Sequence, residues 1–567
     1  MPTTQTPTSK RLSETRLSQL ARLTQNSEGR LSQVAAELGF ATETEDDALR
    51  AVAEAMGLRL IDLGNIRVDL SLLKDFPIRL IHRHGIFPIW KEEGSLVVAT
   101  GNPFDLHALD AVSAAVGMSV LPVLASPADV AKMIKTHLGV GAETIDGLIA
   151  QQEGRDNRVE MLEEIEYDGS EGAEMAQEAS VVRLVNEILV EAVEARASDI
   201  HVETHASGMK IRYRLDGVLV KQPAPPEINR FQAAIISRLK IMAKLNIAEK
   251  RVPQDGRIKL RVTGREIDIR VSIIPMLHGE GVVMRILDKD RMQFSLRGVG
   301  MDDAVYAVFN RLIQLPHGIL LVTGPTGSGK TTTLYSALNE IKSEDTKIIT
   351  TEDPIEYQLE GLNQIQVHNK VGLTFASSLR SILRHDPDVI LVGEIRDLET
   401  AENAVQAALT GHLVFSTLHT NDAAGAFMRL VDIGVEPFLV TSTVEGLMAQ
   451  RLVRILCREC RQPYHPRPGD LPVDFPWEEC ASHGERIYRA VGCRKCRNTG
   501  YSGRTGLFEL MEANDEIRRL ASERTPTHLV KQAAQRAGMR TLREDGWRKV
   551  RRGITSIEEV LRVTKAD

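Results

Sequence analysis

One octapeptide constrains this chain more than any other feature. Gly324, Pro325, Thr326, Gly327, Ser328, Gly329, Lys330 and Thr331 fit the phosphate-binding pattern G-x-x-x-x-G-K-[ST]. The pattern follows an apolar run of strand length at residues 319–323 and precedes a helical pattern that begins at Thr332. Those flanks give the octapeptide its physical meaning. Glycines at 324, 327 and 329 let successive backbone N–H groups turn inward as an anion nest, and the following helix adds the positive end of its dipole. Lys330 is expected to reach the β- and γ-phosphates of ATP, and the Thr331 hydroxyl to ligate Mg²⁺.

Hydrolysis also needs acid beside the phosphates. The apolar run at 389–392 leads through Gly393 to Glu394, placed to orient or deprotonate the attacking water. Glu352, Asp353 and Glu356 follow a second strand at 347–350. Carboxylates at the C-terminal end of a strand face the crevice where α/β proteins bind ligands, and Glu356 is the candidate for positioning metal or water. His412 and His419 flank a third apolar strand. His419 at its end could donate to a γ-phosphate, with a histidine satisfied by the core as the alternative. Continuous apolar runs separated by helical stretches predict a parallel sheet buried on both faces.

The chain has 567 residues, enough for three or four domains of about 150 residues each. Residues 1–30 are polar, lack an apolar signal region, and are expected to be a mobile lead. Residues 31–140 alternate short strands and helices, as a small α/β domain does. Residues 141–178 are acidic with few apolar positions and are expected to be a linker. Residues 179–295 alternate apolar and polar along 209–215 and 265–273, predicting half-buried antiparallel strands; Asp268 and Arg270 share the face opposite Ile267, Ile269 and Val271. Residues 296–567 hold the phosphate loop, an insertion at 455–500, and a last segment from 497 expected to be mostly helical. No stretch reaches the ~20 apolar residues of a membrane-spanning helix, so a cytoplasmic location is expected. The net charge of −7 argues against nucleic acid as the main ligand, because polyanion binders carry a basic excess. A basic cluster, Arg540, Arg543, Arg548, Lys549, Arg551 and Arg552, is expected to be the solvated face of a helix and could also touch acidic phospholipid.

All five cysteines lie between Cys457 and Cys496. Cys457 and Cys460, then Cys493 and Cys496, form two C-x-x-C knuckles, the ligand set of a closed structural Zn²⁺ site. The proline-rich loop between them predicts a metal that staples a segment without its own core, with Cys480 a bystander.

These elements, in this order, resemble the type II secretion ATPases of the type II/type IV pilus superfamily. The resemblance covers roughly residues 60–550. It is carried by Ala197-Ser-Asp-Ile-His201, Arg214-Leu-Asp-Gly217, Pro253-Gln-Asp-Gly-Arg257, Asp268-Ile-Arg-Val-Ser272, the phosphate loop, the acidic segment from Thr351 to Glu356, Val392-Gly-Glu-Ile-Arg-Asp397, His419-Thr-Asn421, Ala449-Gln-Arg-Leu-Val-Arg454, the four cysteines and Thr499-Gly-Tyr-Ser-Gly-Arg504. It implies a multidomain α/β protein: a RecA-like P-loop NTPase core, a PAS-like α+β domain before it, a small N-terminal α/β domain and a zinc insertion held by four cysteines. It further implies a homohexamer recruited to the inner membrane through platform proteins that dock on the N-terminal domain. At matching positions it gives Arg257 and Arg270 arginine-finger-like roles on the γ-phosphate, and places His419 there too. A type IV pilus extension ATPase shares nearly every motif and stays open, as does a zinc-containing nucleic-acid motor of a different class. Two departures stand out. Gly279-Glu280-Gly281 replaces the usual Gly-Glu-Arg, and the N-terminal domain lacks the Arg-Leu-Gly repeat that binds a cyclic dinucleotide in some relatives, so that ligand is not expected.

Arg257→Ala is predicted to lower kcat for ATP by roughly 10³-fold with nucleotide affinity nearly unchanged. Steady-state kinetics beside an equilibrium binding titration check this, and an unchanged kcat contradicts it.

Overall fold

Strands that read as unbroken apolar runs have both faces to bury, and the chain meets that demand with a layer of helices on each side. The computed structural model describes residues 45–138, 159–162, 178–288 and 294–565, apart from short stretches at 65, 67, 75, 77–79, 82–83, 225, 468, 470 and 483–485. The expected lead at 1–30, the helical pattern that follows it and most of the acidic stretch at 141–178 lie outside these residues. The chain divides into two compact units, Met1–Asp290 and Arg291–Asp567.

The second unit is built on a seven-stranded sheet. Its spatial order is Asn363–Gln366, Ile348–Glu352, Val389–Val392, Leu413–Leu418, Gly318–Thr323, Val444–Leu456 and Tyr501–Glu512. The first six are parallel and the last pairs antiparallel with its neighbour. Every residue of Gly318–Thr323, Val389–Val392 and Leu413–Leu418 is buried. Alternate residues feed opposite cores. Ile319, Leu321, Ile390, Val392 and Val414 pack with Ala404, Phe427 and Leu430 on one face. Leu320, Val322, Leu391 and Phe415 pack with Leu334, Leu338 and Phe309 on the other. Each such fully buried side chain contributes about 1.5–3 kcal/mol of transfer free energy.

The segment from 497 is not all helix. Tyr501–Glu512 is a strand along nearly its whole partner, and four helices follow it, Asp515–Ser522, Thr527–Arg536, Leu542–Arg551 and Ile557–Val563. A strand whose partner begins more than fifty residues earlier is set by tertiary pairing, which local pattern does not report. The insertion differs from expectation too. Phe475, Cys480 and Ile487 share a small core with Trp547, Val550, Ile557 and Val560 of the last two helices. The loop therefore does not depend on metal alone, and the fully buried Cys480 is one of its packing residues.

In the first unit, Ile86–Glu92, Ser95–Thr100 and Val120–Leu124 form a three-stranded sheet, with helices Leu106–Val116 and Pro127–Leu138 between and after them. Asp105 caps the first helix by accepting from Ala108 N at 3.0 Å. A second sheet is entirely antiparallel: Val159–Met161, Gln254–Val262, Arg265–Met276, Gly279–Asp288, Asp199–His205, Gly208–Leu215 and Val218–Lys221. Its short edge strand, Val159–Met161, lies within the stretch expected to be linker. Ile267, Ile269 and Val271 face a core closed by helices Ala179–Glu194 and Gln232–Met242.

At the end of the second unit, buried Glu559 joins the last helix to the strand Val444–Leu456. It accepts from Arg454 N at 3.0 Å and Arg454 Nη2 at 2.6 Å, and from Arg562 Nε and Nη2 at 3.0 and 2.7 Å. Burial opposes its charge, but the Arg562 and Arg454 guanidiniums outweigh burial and bring the carboxyl down to about 2. A depressed carboxyl contributes stability above its unfolded value of 4.5 and loses it as pH falls through about 2. Glu559→Gln is predicted to cost about 2–3 kcal/mol at neutral pH. That deficit should shrink as pH falls from 4.5 toward 2. Denaturation of both proteins across that range checks it, and a deficit independent of pH contradicts it.

Candidate functional site

The phosphate loop leaves the central strand Gly318–Thr323 and enters the helix Lys330–Ile341. Gly324, Gly327 and Gly329 all have positive φ, at 147°, 78° and 90°. Two of them also lie against a neighbouring strand. A Cβ on Gly324 would stand 2.5 Å from Gln450 O, and one on Gly329 2.8 Å from Gln450 Nε2. Only glycine fits either position. Gln450 is held from the other side by Thr333, whose hydroxyl donates to Gln450 Oε1 at 2.8 Å.

Lys330 Nζ donates to Gly324 O at 2.8 Å and Pro325 O at 3.2 Å. Burial holds this ammonium below the ordinary lysine range; Glu394 opposes the shift and Arg451 adds to it. Among the described residues, the buried Ser328 hydroxyl has no hydrogen-bond partner. A cradle closed to any Cβ, with an orphaned hydroxyl and a cation at its rim, fits a polyphosphate.

One cleft is lined by Thr331, Asp353, Glu356, Glu394 and His419, with Tyr335, Glu352 and Phe375 among its walls. The sequence-predicted Glu394, Glu356, His419 and Thr331 therefore meet in one place. Glu394 is mostly buried; its Oε2 lies 2.6 Å from Arg396 Nε and 3.3 Å from His419 Nε2. His419 stands at the C-terminal end of Leu413–Leu418. His412 stands at the opposite end, where its Nδ1 lies 2.8 Å from Ala407 O, so it closes a helix terminus far from the cleft.

Two residues that the motifs contain, Glu352 and Arg451, take their roles only from the fold. Glu352 is buried and accepts from the Tyr335 hydroxyl, from Thr350 Oγ1 at 2.6 Å and from Gln364 Nε2 at 3.1 Å. It braces the floor of the cleft, leaving Asp353 and Glu356 as the acids that line it beside Glu394. Arg451 donates to Asn421 Oδ1 at 2.9 Å, two residues beyond His419. The signal for Arg451 was its place in Ala449-Gln-Arg-Leu-Val-Arg454, but only tertiary pairing gives it a partner.

Arg257 and Arg270 are cross-strand partners on the antiparallel sheet of the first unit, and Arg285 continues their row. Arg257 donates to both oxygens of buried Asp268, which fixes the guanidinium in a bidentate fork while leaving it half exposed.

The four cysteines Cys457, Cys460, Cys493 and Cys496 have their sulfurs within 4.8 Å of one another. The pairs 457–493, 460–496 and 493–496 are each 3.8 Å apart. A tetrahedron with Zn–S bonds of ~2.3 Å has edges of ~3.8 Å, so the set fits zinc. The C-terminal basic residues are largely committed elsewhere: Arg540 and Arg548 to Asp302, Arg543 to Asp474, Lys549 to Asp545. No helix among the described residues is long and apolar enough to cross a membrane.

The chain matches the family model described as Type II/IV secretion system protein over residues 174–562, and the MshEN domain model over residues 56–144. It is 44% identical over 560 residues to a "Type II secretion system protein E" of Xanthomonas campestris pv. campestris, covering 98% of this chain and 97% of that one. It is 42% identical over 519 residues to the "Type IV pilus assembly ATPase PilB" of Myxococcus xanthus, covering 91% and 90%. The solved ATPase DotB of Yersinia pseudotuberculosis superposes with a TM-score of 0.50 at 20% identity, over 71% of this chain and 97% of that one, a likeness of fold.

Cys457→Ser or Cys496→Ser is predicted to remove bound zinc and open residues 455–500 to protease, since structural zinc contributes on the order of 10 kcal/mol in peptides. Metal analysis and limited proteolysis check this, and wild-type protein purified without zinc contradicts it.

Proposed function

The chain belongs to the type II/IV secretion system protein family and is an ATPase of that family, and from this we propose that it acts as a homohexameric motor driving pseudopilus assembly and protein export in type II secretion. Near-full-length similarity to a protein named for type II secretion supports the export side of the proposal. Comparable coverage of a pilus assembly ATPase keeps pilus extension as the alternative. The observation that carries the catalytic part is the meeting of Glu394, His419 and Thr331 in one cleft at the mouth of the phosphate loop.

In this reading the backbone N–H groups of residues 324–332, Pro325 excepted, bind the phosphates, and Lys330 turns from its own loop carbonyls onto the β- and γ-oxygens. Thr331 would hold Mg²⁺, with Glu356 positioning its waters. When bound, the ion neutralises charge that develops on the transferring phosphoryl group. Glu394 orients the attacking water and takes its proton, with its carboxylate aimed by Arg396. His419 donates to the γ-phosphate. Arg257 and Arg270 supply further positive charge there when the PAS-like domain closes on the nucleotide. The residue 31–140 domain docks on inner-membrane platform proteins and so brings a cytoplasmic enzyme to the membrane. Acidic phospholipid plays at most a small part, because the C-terminal basic residues are engaged in internal ion pairs.

Lys330→Ala is predicted to lower ATP turnover by at least roughly 10²–10³-fold, the loss typical of removing a charge-stabilising donor, with unchanged thermal stability. A phosphate-release assay beside a melting curve checks it; a variant that keeps most of its turnover contradicts the assignment. Deleting the gene should abolish export of secreted proteins, and loss of pilus extension instead would favour the alternative.

A further inference from the structure

The catalytic scheme leaves one buried acid unused. Glu509 lies in the strand Tyr501–Glu512, 2% exposed, and its two oxygens serve two different helices. Oε1 accepts from Ala423 N at 2.8 Å, and Oε2 from Leu542 N at 3.3 Å. These are the first residues of Ala423–Ile433 and Leu542–Arg551, whose caps are Asp422 and Thr541. Each helix already has a capping side chain of its own, accepting from Gly425 N and from Glu544 N. Glu509 adds something neither cap gives: it fixes the two helix starts to each other and to the sheet.

One end of this tie lies beside the cleft. Between His419 and Ala423 the chain is pinned at Thr420, whose hydroxyl lies 2.7 Å from that of Thr323 and whose N–H donates to the same Thr323 oxygen at 2.8 Å. Asn421 is pinned to Arg451. Glu509 is the third attachment of this short segment, and His419 lies four residues before the amide it holds. The other end leads to the cysteine-bearing insertion. Helix Leu542–Arg551 carries Arg543 and Trp547, which donate to Asp474 of the insertion, and Trp547 packs edge-on against Phe475 at 5.3 Å. The same helix is fastened to the strand through Asp545, which accepts from Phe508 N at 3.1 Å and from Lys549 at 2.7 Å.

We propose that Glu509 is a positioning residue: by bridging the starts of these two helices it holds His419 opposite Glu394, and it links the catalytic segment mechanically to the insertion. This rests on the assignment of His419 to the γ-phosphate. Burial pushes the Glu509 carboxyl up to about 7, against the two amide donors, which marks the site as one that retains a desolvated acid where an apolar residue would cost less. The side chain touches no phosphate and no reacting atom, so it acts on the chemical step and leaves nucleotide binding alone. Its amide analogue keeps the shape but offers one acceptor for two N–H groups.

The test uses the full-length, zinc-loaded chain and compares wild type, Glu509→Gln, His419→Ala and the double variant. Glu509→Gln should lower kcat for MgATP by roughly tenfold or more while KM stays within about twofold, with zinc content unchanged. Because Glu509 acts through His419, the double variant should have the kcat of His419→Ala alone. Should Glu509→Gln not fold, Ala423→Pro removes the donated N–H at a first helical position that tolerates proline, and the same losses are expected. Wild-type kcat in folded Glu509→Gln, or kcat and KM worsening together, overturns the proposal. Losses that multiply in the double variant overturn this inference alone. Wild-type kcat in His419→Ala overturns both the inference and the role of His419 on which it rests.

Discussion

The loop at residues 324–331 can bind phosphate only because nothing but hydrogen fits beneath it. Gln450 presses on the loop from the adjoining strand, with its carbonyl under Gly324 and its amide under Gly329. With Gly327, which has open space beside it, these two glycines carry positive φ, the conformation that aims several N–H groups at one anion. The strand carrying Gln450 is itself set by the sheet, parallel to the central strand on one side and antiparallel to Tyr501–Glu512 on the other. A loop of eight residues thus depends on a pairing with residues more than a hundred positions away. The cleft inherits the same dependence, because Glu394 and His419 stand at the ends of the next parallel strands.

Around this centre the molecule uses buried charge as fastening. Glu559 with Arg454 joins the last helix to the sheet, Asp545, paired with Lys549 in its own helix, takes the N–H of Phe508 in the last strand, and Arg540, just before that helix, reaches Asp302 at the cap of the helix Asp303–Leu312. Such pairs gain little over apolar packing, yet removing one partner strands the other. They fix where the last helices sit, and those helices in turn form one wall of the small core under the insertion. The cysteine set closes the far side of that insertion. Its sulfur spacings already match a tetrahedral ion, so binding need not rearrange the backbone.

Much of this was legible in the sequence, and the limits have physical causes. The central strands announced themselves as apolar runs because both faces are buried, and the phosphate loop because glycine is obligatory there. The cysteine knuckles were legible because metal geometry dictates ligand spacing. Glu394 and His419 were legible as polar residues at the ends of apolar strands. Tyr501–Glu512 was not, since its identity as a strand comes from a long pairing partner. The same holds for Gln450, Arg451 and Glu509, each an ordinary polar residue until the fold brings it under a loop or a helix start. The insertion's core was missed because half of it lies on helices that follow some sixty residues later.

The central claim is that this loop and cleft cleave a nucleoside triphosphate, and the most direct test is phosphate release from ATP by the purified full-length chain with and without magnesium. The account predicts sustained release that stops when EDTA removes the metal. No release above buffer, in any oligomeric form and with or without membrane partners, would contradict it.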